Sequence, residues 1–228
     1  MGSSRKRLVV LIAVAAVVAV ILFFVRKGPS SSSLIREAEA GKGDARLDAI
    51  RKLAQADSPE AVAAVTRLVH DPETPVAVET VSAVGRTRRP ERLPIVRSAV
   101  ADKRSEVREA AVIAVAQVGG RSTGPELMQV LQGDESADVK AAAADALGRL
   151  RYLDSVPLLL DLLEHPSARV RRSAAAAIRR IWTVDHNFKA DAPEEERRAL
   201  VQGIRWRWQM FCQSPAYGYL KANTEKQP

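Results

Sequence analysis

Apolar residues recur along this chain with a period of 31 or 32 residues. The equivalent first positions of the five copies are Ala45, Val76, Val107, Val139 and Val170. Mostly apolar or small residues follow 4, 8 and 11 positions after each of them. These offsets lie on one face of an α-helix, because successive residues are about 100° apart. The pattern therefore predicts five equivalent helices, called first helices below, each with one buried face.

A second, shorter apolar segment follows each of the first four helices. These segments are 59–69, 90–100, 125–131 and 154–163, and prolines near their starts suit the first turn of a helix. Paired helices with a period near 31 residues are typical of a solenoid, in which each pair buries its apolar surface only against its neighbours. The predicted fold class is all-α, an α-solenoid of about five helical hairpins.

The N-terminal region has a different pattern. Residues 8–25 form an uninterrupted run of 18 apolar residues, with Arg5, Lys6 and Arg7 before it and Arg26 and Lys27 after it. A helix of this length reaches about 27 Å, close to the roughly 30 Å hydrocarbon core of a bilayer. A cleaved signal peptide is the alternative, but its apolar core is normally shorter and ends at small residues. We expect one uncleaved transmembrane helix that anchors the chain.

The orientation of this helix depends on a small difference in charge. The basic residues beside the apolar run are denser on its N-terminal side, which favours an N-terminus inside the cytoplasm and a repeat domain outside it. The expected location is a bacterial inner membrane, with the opposite orientation left open. The predicted division of the chain is 1–7 basic flank, 8–25 transmembrane helix, 26–39 linker, 40–185 solenoid, 186–213 capping helix region and 214–228 tail.

Aromatic residues are few, and seven of the ten lie between residues 182 and 219. After Trp182 the repeat ends, and an apolar stripe from Leu200 to Phe211 predicts a helix that caps the last repeat. We define the aromatic patch as Trp206, Trp208, Phe211, Tyr217 and Tyr219. Three roles stay open for it: packing in the cap, binding of a partner protein, and contact with a membrane interface.

Charge gives little support to nucleic-acid binding. The chain has a formal net charge of +8, but five of its 35 basic residues and none of its acidic residues lie in the first 33 positions. The remaining chain carries 30 basic and 27 acidic residues, a net charge of +3. Binding to a nucleic-acid backbone requires a denser positive surface than this.

Arginines are concentrated at the turns that follow the first helices. We call this set the basic edge: Arg86, Arg88, Arg89, Arg121, Arg149, Arg151, Arg179 and Arg180. Stacking of the repeats should place these turns along one side of the solenoid. Basic residues at helix C-termini complement the helix dipole, so a structural role is one interpretation. The other is a binding surface for an acidic partner protein or for anionic lipid headgroups.

Catalytic patterns are missing from the sequence. The histidines, His70, His165 and His186, are far apart and have neither metal-ligand nor nucleophile spacing, and no glycine-rich phosphate loop is present. The single cysteine, Cys212, excludes an intramolecular disulfide and is more typical of a small buried residue than of a reactive thiol. We therefore predict a protein that is not an enzyme and holds no metal or cofactor.

An acid before the first helix and a base six positions later recur at several repeats. The acids are Asp71, Asp102 and Asp134, and the bases are Arg46, Arg108, Lys140 and Arg171. With the period and the helix pairing, this pattern resembles HEAT repeats, in particular the short bacterial kind described as phycobilisome-lyase-like, over residues 40–182. Ala40, His165 and Ala77 depart from the pattern, so a continuous charge ladder is not expected.

The resemblance implies a solenoid whose second helices line the inner curve. The expected function is a membrane-anchored scaffold or adaptor that binds another protein along its second helices or its basic edge. Two alternatives stay open. One is an accessory or lyase-like subunit of a cofactor-attaching enzyme system, and the other, disfavoured by charge, is a nucleic-acid-binding helical-repeat protein.

Overall fold

The computed structural model describes residues 30–225, and all regular structure in that range is helical. None of these helices is long and apolar enough to cross a membrane. The predicted transmembrane helix, 8–25, and its basic flank, 1–7, lie outside the described residues.

Twelve α-helices lie within the described residues. In chain order they are α1 (Ser31–Ala40), α2 (Gly43–Gln55), α3 (Pro59–Leu68), α4 (Thr74–Thr87), α5 (Leu93–Ser98), α6 (Ser105–Gly119), α7 (Gly124–Gly133), α8 (Ala137–Arg149), α9 (Val156–Leu162), α10 (Ala168–Trp182), α11 (Glu194–Cys212) and α12 (Pro215–Glu225). Short 3-10 turns occur at Pro90–Arg92, Ala99–Ala101, Gly120–Thr123 and Leu153–Ser155.

The five predicted first helices are α2, α4, α6, α8 and α10, and each packs on the next one. The second helices α3, α5, α7 and α9 form a parallel layer beside them. In α6 the offsets predicted to be apolar are buried, with exposed fractions of 0% for Val107, Ala111 and Val115. The predicted α-solenoid is confirmed, and one continuous apolar core extends through all its repeats.

The stacking of first helices requires very small residues nine positions into each repeat. Ala54, Gly85, Ala116 and Gly148 occupy this position in the first four repeats, and all of them are buried. A Cβ atom on Gly148 would lie 2.7 Å from the Cα atom of Ala177 in α10. Gly85 makes the same kind of approach to Ala114 of α6. At this position neighbouring first helices therefore approach each other more closely than larger side chains would permit.

The repeats are also joined by charged links in the loops that precede the first helices. Arg46 donates to Asp71 of the next repeat at 2.9 Å, and Arg108 donates to both carboxylate oxygens of Asp134 at 2.7 and 3.0 Å. The second repeat has alanine where a base is expected. There Arg104 binds Asp102 instead, and this hydrogen-bonded pair lowers the pKa of Asp102 to about 2. The repeating acid–base pattern is thus interrupted at Ala77, and Arg104 takes the place of the missing base as the partner of Asp102.

Two predicted segments differ from the structure. The predicted linker, 26–39, becomes the helix α1 from Ser31 onward, because Ser30 accepts a hydrogen bond from the backbone N–H of Ser33 as an N-cap and Ala38 is buried in the core. The serine-rich segment 30–33 thus starts a helix. The predicted tail, 214–228, is helical in α12, where Tyr217 and Leu220 pack on the core.

The predicted capping helix is α11, and it covers the last repeat. Val201, Ile204 and Trp208 face the core, with exposed fractions of 0%, 1% and 7%. An irregular segment, 183–193, separates α10 from α11. Consequently α10 has no sixth first helix on its outer face.

The close approach at Gly148 gives a direct test of the stacking. We expect Gly148→Ala to lower the free energy of unfolding by about 1–3 kcal/mol, because the added methyl group meets the backbone of α10, which has little room to move. Chemical denaturation measures the change. The control is Gly203→Ala in α11, where a Cβ meets no atom within 4 Å and stability should rise by up to about 1 kcal/mol. Equal effects of the two substitutions would contradict the packing constraint.

Candidate functional site

The turns of the basic edge lie next to one another in the structure. Arg89 forms an ion pair with Asp57, one turn earlier, and Arg92 donates to the carbonyl oxygen of Ala56 at 2.5 Å. Arg121 donates to the carbonyl oxygen of Arg151, one turn later, at 2.9 Å. These contacts join the turns of adjacent repeats, so the predicted edge is a continuous side of the solenoid.

Four of the eight arginines of the basic edge have structural partners. Arg86 binds Glu79 at 2.7 Å, Arg180 binds Asp145 at 3.1 Å, and Arg89 pairs with the Asp57 carboxylate. The guanidinium of Arg121 lies 5.5 Å from the centroid of the Tyr152 ring, a cation–π contact worth about 0.5–1 kcal/mol. Arg89 and Arg121 join neighbouring turns, Arg180 joins α10 to α8, and Arg86 binds within its own helix α4.

The other four, Arg88, Arg149, Arg151 and Arg179, are exposed and form no ion pair with an acidic side chain of residues 30–224. Arg88 and Arg151 occupy equivalent positions just after α4 and α8, with left-handed φ values of 52° and 48°. The left-handed residue ends the first helix and turns the chain toward the second. The edge therefore presents uncompensated positive charge.

The surface of the second helices is different. Its arginines pair with acids of neighbouring helices: Arg67 of α3 with Glu39 at 2.5 Å and Arg97 of α5 with Glu126 at 3.0 Å, while Asp161 of α9 is bound by the partly buried Arg205 of α11 at 2.8 Å. The arginines of this surface are thus neutralised by contacts between repeats. Of the two binding surfaces considered from sequence, only the basic edge keeps arginines without an acidic partner within the described part of the chain.

The aromatic patch is divided by the structure. Trp208 and Phe211 pack with Trp182, and Tyr217 packs on both of them. The ring centroids of Trp182 and Trp208 are 5.1 Å apart, in an edge-to-face arrangement. Trp206 and Tyr219 point away from this cluster, with exposed fractions of 62% and 75%. Trp208, Phe211 and Tyr217 are thus part of the cap, and Trp206 and Tyr219 are on the surface.

A cavity of about 540 Å³ lies where the solenoid ends, between α10, the segment 183–193 and α11. We call it the terminal cavity. Its apolar lining includes Leu163, Ile178 and Ile204, all buried. Sequence reasoning missed it, although one signal was present: the stacking position is small in four repeats, but in the fifth it is Arg179.

His186 lines the terminal cavity and is only 7% exposed. Its ring packs against Trp182 with a centroid distance of 4.4 Å, and neither ring nitrogen has a hydrogen-bond partner among the described residues. A buried polar group without a partner costs about 1–3 kcal/mol. Burial and the nearby Arg207 lower the pKa of His186, against the opposing effect of Asp185, so the imidazole is neutral at pH 7.

The other histidines and the cysteine have structural environments. His70 forms a hydrogen bond with Ser98 at 3.1 Å, and Nδ1 of His165 accepts one from the backbone N–H of Ser167 at 3.1 Å. Burial raises the pKa of the Cys212 thiol, which disfavours the reactive thiolate. Within residues 30–224, no group of histidine, cysteine and carboxylate side chains is arranged to hold a metal ion.

The family model of HEAT repeats matches residues 31–122 and 124–205. Because these matches cover more than half of the chain, it belongs to the HEAT-repeat family. Comparison with curated proteins finds no match.

One solved structure shares the architecture. The chain is similar to a chain in the complex of CpcE and CpcF of phycocyanin lyase from Nostoc sp. PCC7120, with 21% identity, 69% of this chain and 68% of that chain covered, and a TM-score of 0.54. It also matches a designed armadillo repeat protein (18% identity, 76% and 97% covered, TM-score 0.42) and another engineered protein (14%, 87% and 94%, 0.48).

The division of the aromatic patch predicts opposite results for two tryptophans of the same helix. Trp208→Ala should destabilise the protein by about 3–5 kcal/mol, because it removes a ring packed against Trp182 and Tyr217. Trp206→Ala should change stability by less than about 0.5 kcal/mol, because its ring is largely in solvent. Denaturant titrations compare the two variants. A large loss at Trp206 would show that the patch packs as one unit.

Proposed function

We propose that this protein is a membrane-anchored HEAT-repeat scaffold that binds an acidic protein partner along its basic edge. One observation carries the proposal: Arg88, Arg149, Arg151 and Arg179 are exposed and lack acidic partners within the described residues, whereas the arginines of the second-helix surface are paired. Arginine without an intramolecular partner is free to make bidentate contacts with carboxylates of another protein.

The rigidity of the edge supports the proposal. Arg88 and Arg151 follow fixed left-handed helix ends, and the adjacent Arg89 and Arg121 tie their turns to neighbouring repeats. Backbone positions held in this way reduce the entropy that is lost on binding. A scaffold with a fixed row of cations therefore suits an extended acidic segment better than a single anion.

The anchor and the location are part of the same proposal. The sequence supports a single transmembrane helix at 8–25 in a bacterial inner membrane, with the repeat domain outside the cytoplasm. Anionic lipid that attracts basic surfaces is a feature of the cytoplasmic leaflet. With the repeats on the other side, a protein partner is a better match for the basic edge than lipid headgroups.

The second candidate is an accessory or lyase-like subunit of a cofactor-attaching enzyme. It rests on the fold shared with a chain of the phycocyanin lyase complex, and at 21% identity this likeness concerns architecture. A cofactor bound to the purified full chain, seen as visible absorbance, would favour this candidate over the scaffold. Nucleic-acid binding stays disfavoured by the small net charge of the chain after residue 33.

Charge reversal of the unpaired arginines tests the basic edge. We expect Arg88→Glu, Arg149→Glu and Arg151→Glu together to weaken retention of partner proteins from membrane extracts by at least about tenfold, since each contact of this kind contributes about 0.5–1 kcal/mol or more. Quantitative pull-down with the full chain measures the loss. Wild-type retention should also fall as salt is raised, because exposed charges are screened.

The matched control reverses three exposed lysines that lie outside the turns after the first helices, Lys42, Lys103 and Lys221, which gives the same change in net charge. This triple variant should retain partners as the wild type does. Equal loss in both triple variants would show that retention depends on the net charge of the chain and not on the position of the arginines. Unchanged retention by the edge variant, or binding of that edge to anionic vesicles in place of proteins, would overturn the proposal.

A reporter fused after Pro228 tests the anchor and its orientation. We expect an alkaline phosphatase fusion to be active, because this enzyme folds in the periplasm. We expect a green fluorescent protein fusion to be dark, because this protein becomes fluorescent when it folds in the cytoplasm. Deletion of residues 8–25 should release the fusion from membranes into the soluble fraction. A fluorescent fusion that stays with the membrane would reverse the proposed orientation, and a full chain that fractionates as soluble would remove the anchor.

A further inference from the structure

The terminal cavity arises because the stacking of first helices stops at α10. In the first four repeats the ninth position is alanine or glycine and is buried against the next first helix. In the fifth repeat the same position is Arg179, which is exposed and lines the cavity together with Ala175 and Ile178 of the same helix. The face that stacks in other repeats is here only partly covered by the segment 183–193 and α11.

The lining of the cavity divides by exposure. Three apolar members, Leu163, Ile178 and Ile204, have exposed fractions of 0%, 1% and 1% and form the floor, and Ala175 and Phe188 beside them are partly buried. Its charged members, Arg179, Asp185 and Lys189, are exposed and form the rim. A volume of about 540 Å³ with an apolar floor and a few polar groups has the character of a small-molecule site.

The three charged side chains at the rim differ in whether they already have a partner within the described residues. Lys189 binds Glu196 of α11 at 3.1 Å. Asp185 accepts a hydrogen bond from the backbone N–H of Asn187 at 3.0 Å. Arg179 forms no ion pair within residues 30–224, so it is the rim cation left for an incoming anion.

His186 gives a second, independent indication of a ligand. It is the buried polar residue of the lining, and both of its ring nitrogens lack a partner among the described residues. It lies in the irregular segment between Thr183 and Asn187, which both have left-handed φ values, 58° and 51°. A ligand with a polar atom beside its apolar group would satisfy this imidazole after a small outward movement of the segment.

We propose that the terminal cavity binds a branched aliphatic carboxylate, with the alkyl group on the floor and the carboxylate on Arg179. A free short-chain acid and the C-terminal leucine of a peptide share this chemistry. The carboxylate matches the planar guanidinium, which binds such groups through two hydrogen bonds. The buried leucine and isoleucine side chains of the floor favour an aliphatic group. Arg179 is also a member of the basic edge, but the charge-reversal test of the proposed function uses Arg88, Arg149 and Arg151, so the two proposals fail independently.

Two soluble probes test the site on the full-length chain: 4-methylpentanoate for the free acid and N-acetyl-glycyl-leucine for the peptide end. Isothermal titration calorimetry measures the affinity. Selective ¹⁵N-histidine labelling follows the ring of His186 beside His70 and His165. We expect at least one acid to bind and to shift the His186 signals alone, whereas its neutral carboxamide binds at least about tenfold more weakly.

Arg179→Gln should weaken binding of the acid by roughly tenfold and leave the carboxamide unaffected, because the substitution removes a charge-assisted hydrogen bond. Arg36→Gln is the matched control, an exposed arginine of α1 that forms no ion pair within residues 30–224 and lies outside both the basic edge and the cavity lining. It should bind the acid as the wild type does.

Each outcome decides the proposal. Binding of the dipeptide alone assigns the site to a peptide C-terminus, and binding of the free acid alone assigns it to a small molecule. The proposal is overturned when neither acid shifts the His186 signals, when acid and carboxamide bind equally, or when Arg179→Gln binds the acid as the wild type does. Loss of protein partners after charge reversal at the basic edge would not rescue it.

Discussion

The close packing of consecutive first helices is the constraint on which the rest of this structure depends. Gly85 and Gly148 have no room for a side chain, because Ala114 and Ala177 of the next helix occupy the space. No single helix pair has enough apolar surface to be stable alone, so stability comes from this repeated interface. The spacing it enforces also brings the loops and turns of successive repeats within reach of one another.

This spacing between repeats determines which charged side chains find a partner in the neighbouring repeat. Where the neighbouring repeat supplies a partner, arginines are neutralised, as Arg46 is by Asp71 and Arg97 by Glu126. Partly buried pairs such as Arg108 and Asp134 are well matched in geometry, which offsets the cost of removing them from water. Within the described chain, a row of uncompensated arginines remains where first helices end, whereas Arg36 and Arg207 are isolated cases elsewhere. This makes the basic edge, rather than the surface of the second helices, the better candidate for recognition of a partner.

The C-terminal end shows what happens when the array stops. The last first helix has apolar residues that need cover, and the chain supplies an irregular segment and α11 in place of another repeat. Trp182, Trp208, Phe211 and Tyr217 fill most of the resulting space with large rings. These rings leave part of that space empty, and the empty part is the terminal cavity, which His186 lines. The concentration of aromatics at this end thus has a packing cause.

The sequence by itself determined the repeat and the helix pairing, because small and branched residues at fixed offsets give each helix an apolar face that is buried by stacking on the next pair. It also showed the resemblance to HEAT repeats and located the arginines of the edge and the capping stripe. Only the tertiary structure decided which arginines are paired across repeats, since the partners of Arg89 and Arg180 lie 32 and 35 residues away on sides that no local pattern defines. Tertiary contacts likewise made helices of the serine-rich segment and of residues 215–225. The cavity at Arg179 and His186 depends on how an irregular segment covers α10, which repeat periodicity does not encode.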